Sequence, residues 1–407
     1  MNRRIIADLI LDWSRQDTSA AIGQWLGIRE RFSFNDDRYY DTSRALAMRA
    51  AYRRMPEAHQ WLQTFTARAD DLELQEWRIR TALLAEDWQA VINSIAQLPR
   101  KEQEEDHWAY WQARALEQTG RAADARSIYS ELAELQSYHG FLSADRLQLD
   151  YSIYDEPIVP GSDLLGQLAS EPALVRAREF HLVGLSTESR REWNNWVRGK
   201  SEPALAAAAV LASEWGLHDR AIYAAGLSNS RRAISLRFPL LYRSEVARAS
   251  MDNAIEPAWI FGVMRRESAY IRDVRSSAGA IGLMQLMPRT ARYVAGLQGK
   301  KDWRGDLTES GTNIELGTFY LRHVMDRFDD HQVLATASYN AGPSRVGKWL
   351  TDTTMDADIW IDTIPYTETR RYVRAVLAYA AIYEHQLNGE PQRLSNKLRQ
   401  IPAATGV

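Results

Sequence analysis

Through nearly all of the chain, apolar residues recur three and four positions apart between short turns, and the two-residue alternation of a half-buried strand is almost absent. Stripes with that period are buried only by laying helix on helix, so the expected fold is all-α. Ala115, Leu116, Gly120, Ala125, Ile128 and Tyr129 trace a helix, a glycine turn and a second helix, in the manner of a tetratricopeptide-type unit. Ala82, Asp87, Trp88, Ile92 and Ile95 repeat the pattern earlier, and Leu211, Gly216, Ala221 and Ala224 repeat it later. Such pairs cannot bury their faces alone and should stack into a helical solenoid, with an irregular helical bundle as the competing arrangement.

A chain of 407 residues exceeds one ordinary core, so two or three domains are expected. The clearest break lies between Asp155 and Ser162, where Pro157, Pro160 and Gly161 interrupt the helical pattern. Residues 1–156 read as the solenoid and 162–236 as a small helical linker domain, in which the alanine run Ala204–Ala212 permits close helix packing. Residues 237–407 read as a third domain, beginning with an extended Arg237-Phe238-Pro239. Trp77, Trp88, Trp108, Trp111, Trp193 and Trp196 fall in helical patterns and are expected in packing interfaces. The tail from Asn388 reads as an irregular strap or a partly disordered one.

Composition excludes several classes of function. A net charge of −3, with arginines interleaved among acids, gives no footprint for nucleic acid. The eight histidines are scattered without paired ligand spacing and cysteine is absent, so no metal site, disulfide framework, thiolate nucleophile or cofactor is expected. No apolar run is long enough to span a bilayer. The N-terminal Met1–Ile10 carries basic residues, but Asp8, Asp12 and Arg15 make it an amphipathic helix rather than a signal peptide.

The chemistry concentrates between Ile255 and Pro288. A helix starting near Pro257 carries Ile260, Val263 and Met264 at seven, four and three positions before Glu267, which places that carboxyl on the apolar stripe while Arg265 and Arg266 face water. Burial disfavours the ionised form, so the pKa should rise and a general acid results. The plainer alternative is a helix-end glutamate paired with Arg272 or Arg275. The loop Ser276–Gly282, followed by Leu283-Met284-Gln285-Leu286-Met287-Pro288, can bend sharply and reads as a pocket wall. Glycosidic cleavage ordinarily uses two carboxylates, yet Glu267 has no evident partner, since Asp273 lies beyond a turn and Asp302 and Asp306 sit in a polar loop.

Glu267-Ser268-Ala269-Tyr270, Gly282–Pro288, Ser338-Tyr339-Asn340-Ala341-Gly342-Pro343 and Ile364–Val373 together resemble, in order and spacing, the motif set of soluble lytic transglycosylases. The resemblance covers roughly residues 237–387 and implies a lysozyme-like, mainly α catalytic domain. It implies Glu267 as the single acid and base, with Ser276, Gln285, Met287, Tyr339, Asn340, the carbonyl of Ala341 and Glu368 binding substrate. Without the resemblance, Asn340 or Gly342 would simply cap a helix, and Glu368 would bridge to Arg371 or Arg345. Ser338 stands where many members have alanine. The implied reaction cleaves the MurNAc-β-1,4-GlcNAc bond of peptidoglycan with the substrate's acetamido group assisting, leaving 1,6-anhydro-MurNAc. The implied partners are glycan strands and their stem peptides, and the implied compartment is the periplasm, which requires that an export signal has been removed or that the chain is the later part of a longer protein. A hydrolytic, goose-type-lysozyme-like muramidase and a non-catalytic glycan-binding helical adaptor are the competing functions.

Overall fold

The computed structural model describes residues 3–31, 36–65, 67–301 and 303–404. Among these residues regular structure is helical throughout, with β-pairing confined to isolated bridges. Asp302 lies outside the described residues.

The helix pairs read from the sequence are present. Leu72–Leu84 is followed by Trp88–Ile95, Asp106–Gln118 by Ala122–Ala133, and Glu202–Glu214 by His218–Leu227. The repeat is degenerate because the left-handed residue in the turn is Gly120 in one copy and Glu86 in another. Trp77, Trp108, Trp111, Trp193 and Trp196 are buried, each supplying a large apolar face to a helix contact. Trp88 is only partly buried against the core. The linker helices enclose their own small core around Leu174, Trp193, Leu205 and Leu211.

The largest core does not stop at a boundary. It runs from Ile79, Trp108 and Phe141 into Trp259, Phe261, Trp360, Val376 and Tyr383, so the later solenoid helices and the C-terminal helices share one apolar interior. The helix carrying Glu267, Pro257–Ser268, packs along Thr367–Asn388, with Gly262 as the point of closest approach. A Cβ at Gly262 would stand 3.0 Å from the Val376 carbonyl and 3.1 Å from the Ala380 nitrogen, so a side chain would force these helices apart.

Polar groups pin the same seam. Asp362 accepts from Trp111, Arg374 and His139, the last at 2.9 Å, and Asp358 accepts from the Tyr110 hydroxyl at 2.8 Å. The Arg54 guanidinium donates to the Trp349 carbonyl at 2.5 Å.

Two sequence expectations need correction. Arg237 ends the short helix Ile234–Arg237 instead of lying in an extended segment, because its N–H closes a helical turn on the Ala233 carbonyl at 3.0 Å, and Arg265 Nε then takes up its free carbonyl at 2.6 Å. Arg265 and Arg266 do not simply face water. Arg265 sits over the rings of Phe238 and Tyr379, and the Nε of Arg266 is buried. The C-terminal segment after Asn388 is the irregular strap read from the sequence, carrying only the short helix Leu394–Lys397: Arg393 and Ser395 hold Asp145, Lys397 reaches Glu384 at 2.8 Å, and Ile401 pairs with Met355.

Candidate active site

Pro257 opens the acid-bearing helix, where its missing N–H leaves nothing unpaired. The helix ends abruptly because Ala269 and Tyr270 both adopt left-handed backbone, with φ of 47° and 67°. Consecutive non-glycine residues in that region are strained and persist only where the surroundings impose them. Here Ser268 imposes them: its hydroxyl accepts from the Tyr270 N–H at 3.1 Å and donates to the Leu283 carbonyl at 2.8 Å, while the Tyr270 hydroxyl donates to that of Tyr383 at 2.6 Å. The turn that ends the helix is thereby stitched to the glycine-bearing loop.

That loop is fixed from two further sides. Buried Asn313 accepts from the Met284 N–H at 2.7 Å and donates to the carbonyls of Ile281 and Leu307, and the Tyr339 hydroxyl donates to the Met284 carbonyl at 2.8 Å. Gly282 permits this with φ of 85°, and a Cβ there would fall 2.3 Å from the Asn313 amide nitrogen. Gln285 takes φ of 48°, and its amide nitrogen donates to the carbonyls of Val274 and Gly282, so that nitrogen is spent on closing the loop.

Glu267 is partly buried and pairs with no cation among the described residues, so the ion pair to Arg272 or Arg275 does not form. Burial raises its pKa to about 7, partly countered by the Tyr372 hydroxyl and the charge of Arg266, and reinforced by the like charge of Glu368. The Tyr372 hydroxyl is itself buried and faces the carboxyl without closing a short hydrogen bond, and burial beside Glu267 drives its own pKa far up. Tyr339 also feels the Glu267 charge and packs on Tyr320 with ring centroids 5.4 Å apart. The site is a near-neutral carboxyl among tyrosines, able to give up a proton and take it back at physiological pH.

The third motif closes the other side. Thr369 donates to the Asn340 side-chain oxygen Oδ1 at 2.7 Å, and the Asn340 side-chain amide nitrogen reaches toward exposed Glu368 at 3.5 Å. Arg370 grips the first turn of the Thr367–Asn388 helix through the Ile364 carbonyl and the Thr367 hydroxyl. Glu368 bridges to neither Arg371 nor Arg345. Gly342, with φ of 86°, caps the Gln332–Ala341 helix, and the Ala341 carbonyl accepts from Arg345 at 3.1 Å.

Glu267, Tyr339, Asn340 and Glu368 therefore converge, with Gln285 held one residue beyond the Met284 carbonyl. Ser276 and exposed Met287 stand on the same bridged loop, but the Ser276 hydroxyl accepts from the Ala280 N–H and serves its own turn. Tyr372 and Asn313 were missed by sequence reasoning. Tyr372 follows Glu368 by four positions and so shares its helix face, a signal the motif contained. Asn313 adjoins buried Ile314 and could have been singled out as a polar residue on an apolar stripe. Asp273 is no second acid, for it is held by Arg190 at 3.1 and 3.2 Å. Asp306 caps its own turn through Thr308. Among the described residues no cluster of His, Asp and Glu could hold a metal ion, and no helix is long and apolar enough to cross a membrane.

The Transglycosylase SLT domain family matches residues 245–361, the Soluble lytic murein transglycosylase L domain family 167–229, and the Soluble lytic transglycosylase helical domain family 363–392. The chain is 35% identical over 343 residues to the soluble lytic murein transglycosylase of Salmonella typhimurium, covering 83% of this chain and 52% of that protein. It is 31% identical over 401 residues to that of Escherichia coli K12, covering 97% and 61%. Among solved structures, an inactive mutant of lytic transglycosylase Slt from Pseudomonas aeruginosa aligns with a TM-score of 0.90 at 32% identity, over 97% of this chain and 64% of that one. The 70 kDa soluble lytic transglycosylase of Escherichia coli aligns with a TM-score of 0.81 at 28% identity, over 97% and 63%. The chain thus spans between about half and two thirds of these relatives.

Proposed function

The chain belongs to the soluble lytic transglycosylase family, and from that membership we propose that it cleaves the MurNAc-β-1,4-GlcNAc bond of peptidoglycan in the periplasm, releasing 1,6-anhydro-MurNAc ends during cell wall turnover. The proposed organisation is a helical solenoid over 1–156, a linker domain over 162–236 and a lysozyme-like catalytic domain over 237–407. One observation carries the mechanism: a lone carboxyl, unpaired with any cation, whose pKa burial lifts to about 7.

In the first step protonated Glu267 gives its proton to the glycosidic oxygen as the C1–O bond breaks, and the substrate's own acetamido oxygen bonds to C1. In the second, the 6-hydroxyl oxygen bonds to C1, the acetamido oxygen departs, and the hydroxyl proton returns to the Glu267 carboxylate. The cycle uses no water and restores the acid. Tyr339 and Asn340, fixed by the Met284 carbonyl and Thr369, hold the reacting sugar, while Ser276, Gln285, Met287, the Ala341 carbonyl and Glu368 line the neighbouring subsites.

The proximity of Glu368 to Glu267 favours a second reading. A second carboxylate that activated water would make the protein a hydrolytic muramidase. Mass spectrometry of digested sacculi separates the two, with anhydro-muramic ends expected here and free reducing ends supporting hydrolysis. Intact sacculi after incubation with the unmodified protein would leave a glycan-binding adaptor as the remaining function.

A further inference from the structure

Where the solenoid meets the C-terminal domain, a pocket of about 490 Å³ opens between two stretches of chain. Arg53 and Arg54 line it from the turn between helices Asp36–Tyr52 and Ala58–Thr64, and His59 from the second of these helices. Lys348, Thr351 and Asp352 line it from the segment that follows the Pro343–Gly347 helix.

Arg54 is the group that calls for explanation. It adopts left-handed backbone with φ of 52°, which a non-glycine residue keeps only where its contacts impose it. Those contacts come from the other domain: its guanidinium donates to the carbonyls of Trp349 and Trp360 and to the Thr363 hydroxyl, the last at 3.2 Å. All three acceptors are neutral, and its Nε is buried with no partner. Burial pushes its pKa down to about 9, with no carboxylate acting to restore it. A buried cation without a counter-charge is costly, and an anion taken from solvent removes that cost.

The rest of the pocket adds to the imbalance. Arg53 is exposed and donates to neutral oxygens, the Thr18 hydroxyl at 2.9 Å and the Arg15 carbonyl at 2.6 Å. Lys348 is exposed and enters no ion pair among the described residues. The His59 Nδ1 is buried without a partner, while its Nε2 contacts Asp87 at 3.2 Å. Among the lining residues, Arg53, Arg54 and Lys348 stand against the single carboxylate of Asp352, so three positive charges face one negative and two remain in excess. Cations gathered around a concave surface concentrate anions there.

We infer that this pocket binds a phosphate dianion, free or as the monoester of a small organic molecule, and that the bound anion clamps the solenoid to the C-terminal domain. A dianion matches the excess charge. A tetrahedral oxyanion can accept from Arg53 on one wall and Lys348 on the other at once, whereas the planar oxygen pair of a carboxylate suits a single guanidinium fork. Glu267 takes no part, so the site stands or falls apart from the proposed cleavage.

Calorimetry on the whole chain, with inorganic phosphate and glycerol 3-phosphate as separate probes at constant ionic strength, tests the site. Saturable binding that Lys348→Gln weakens on the order of tenfold, as expected for one lost charge-assisted contact, supports it. The variant removes an exposed side chain, and circular dichroism checks that its fold is kept. Equal affinity for the two probes supports free phosphate as the occupant, and tighter binding of the ester supports a phosphorylated small molecule. No saturable binding of either probe, or equal binding by parent and variant, overturns the inference. Hydrogen exchange reads the clamp: added phosphate should slow exchange in residues 53–59 and 348–355 together, and slowing on one side alone overturns it.

Discussion

Two buried carboxyls in this molecule have opposite fates. Glu267, in the candidate active site, has a pKa lifted to about 7 because burial outweighs one hydroxyl and one offset cation. Asp362, in the seam between solenoid helices and the C-terminal domain, is more deeply buried, yet its carboxyl is held far below the usual range. Burial alone would raise it, but Arg374, His139 and Trp111 all favour the charged form. Burial sets the stakes and the partners decide the outcome: a carboxyl given cations becomes a structural rivet, and one denied them becomes a proton carrier. The seam also tolerates stressed cations. Burial pushes Arg370 down to about 8, assisted by Arg80 and Arg374, while its donors fix the helix turn that bears Glu368.

Removing each carboxyl should therefore break different things. Glu267→Gln should cost about 10²–10⁴-fold in glycan cleavage, the usual range for general acid–base catalysis, and should not lower the melting midpoint, since the raised folded pKa of Glu267 works against stability at neutral pH. A comparable loss of fold would place Glu267 with the rivets. Asp362→Asn should do the reverse, destabilising by about 3–5 kcal/mol as breaking a buried pair does, read as a shifted denaturation midpoint with residual activity in the folded fraction.

The pH responses should oppose each other as well. The folded pKa of Asp362 is depressed, so its stabilisation is present above the unfolded value of about 3.9 and is lost as pH falls. Burial lowers the pKa of His139, but Asp362 and Asp106 more than reverse this, so its stabilisation is complete below about 6.5 and is lost as pH rises through the raised value. The seam should hold best between those limits. Glu267 works against stability, because its folded form retains a proton that the unfolded chain has lost between about pH 4.5 and 7. Activity should fall above pH 7 as this acid ionises.

Smaller effects sharpen the account. Tyr372→Phe removes a group that pulls the Glu267 pKa down, so the alkaline limb of the rate profile should move upward. Glu368→Gln removes a like charge and should move the limb downward by less, with the difference shrinking in salt because Glu368 is exposed. Movement of either limb in the opposite direction would show that the electrostatic assignment is wrong.

The candidate site was legible where a local rule carried it. Glu267 stood out because three apolar residues at helical spacing put it on the buried stripe, and Gly342 because a helix needed a stop. The roles of Ser268 and Asn313 were not legible, since each makes its decisive hydrogen bonds to residues 15 to 32 positions away in the chain. Asp358 and Asp362 fall between these cases. Two aspartates four apart among Ile359, Trp360 and Ile361 signal a polar stripe facing something charged, but beyond Arg374, 12 residues downstream, their partners Tyr110, Trp111 and His139 lie more than 200 residues upstream.

The sequence by itself determined an all-α chain, the helix pairs, and a carboxyl embedded in an apolar stripe, because periodicity and turn chemistry act within a few residues. Only the tertiary structure decided that this carboxyl would lack a cation while Asp362 would gather several, and that the later solenoid helices would share a core with the C-terminal domain. Charge balance in a low-dielectric interior depends on which distant side chains arrive, and distance along the chain says nothing about that.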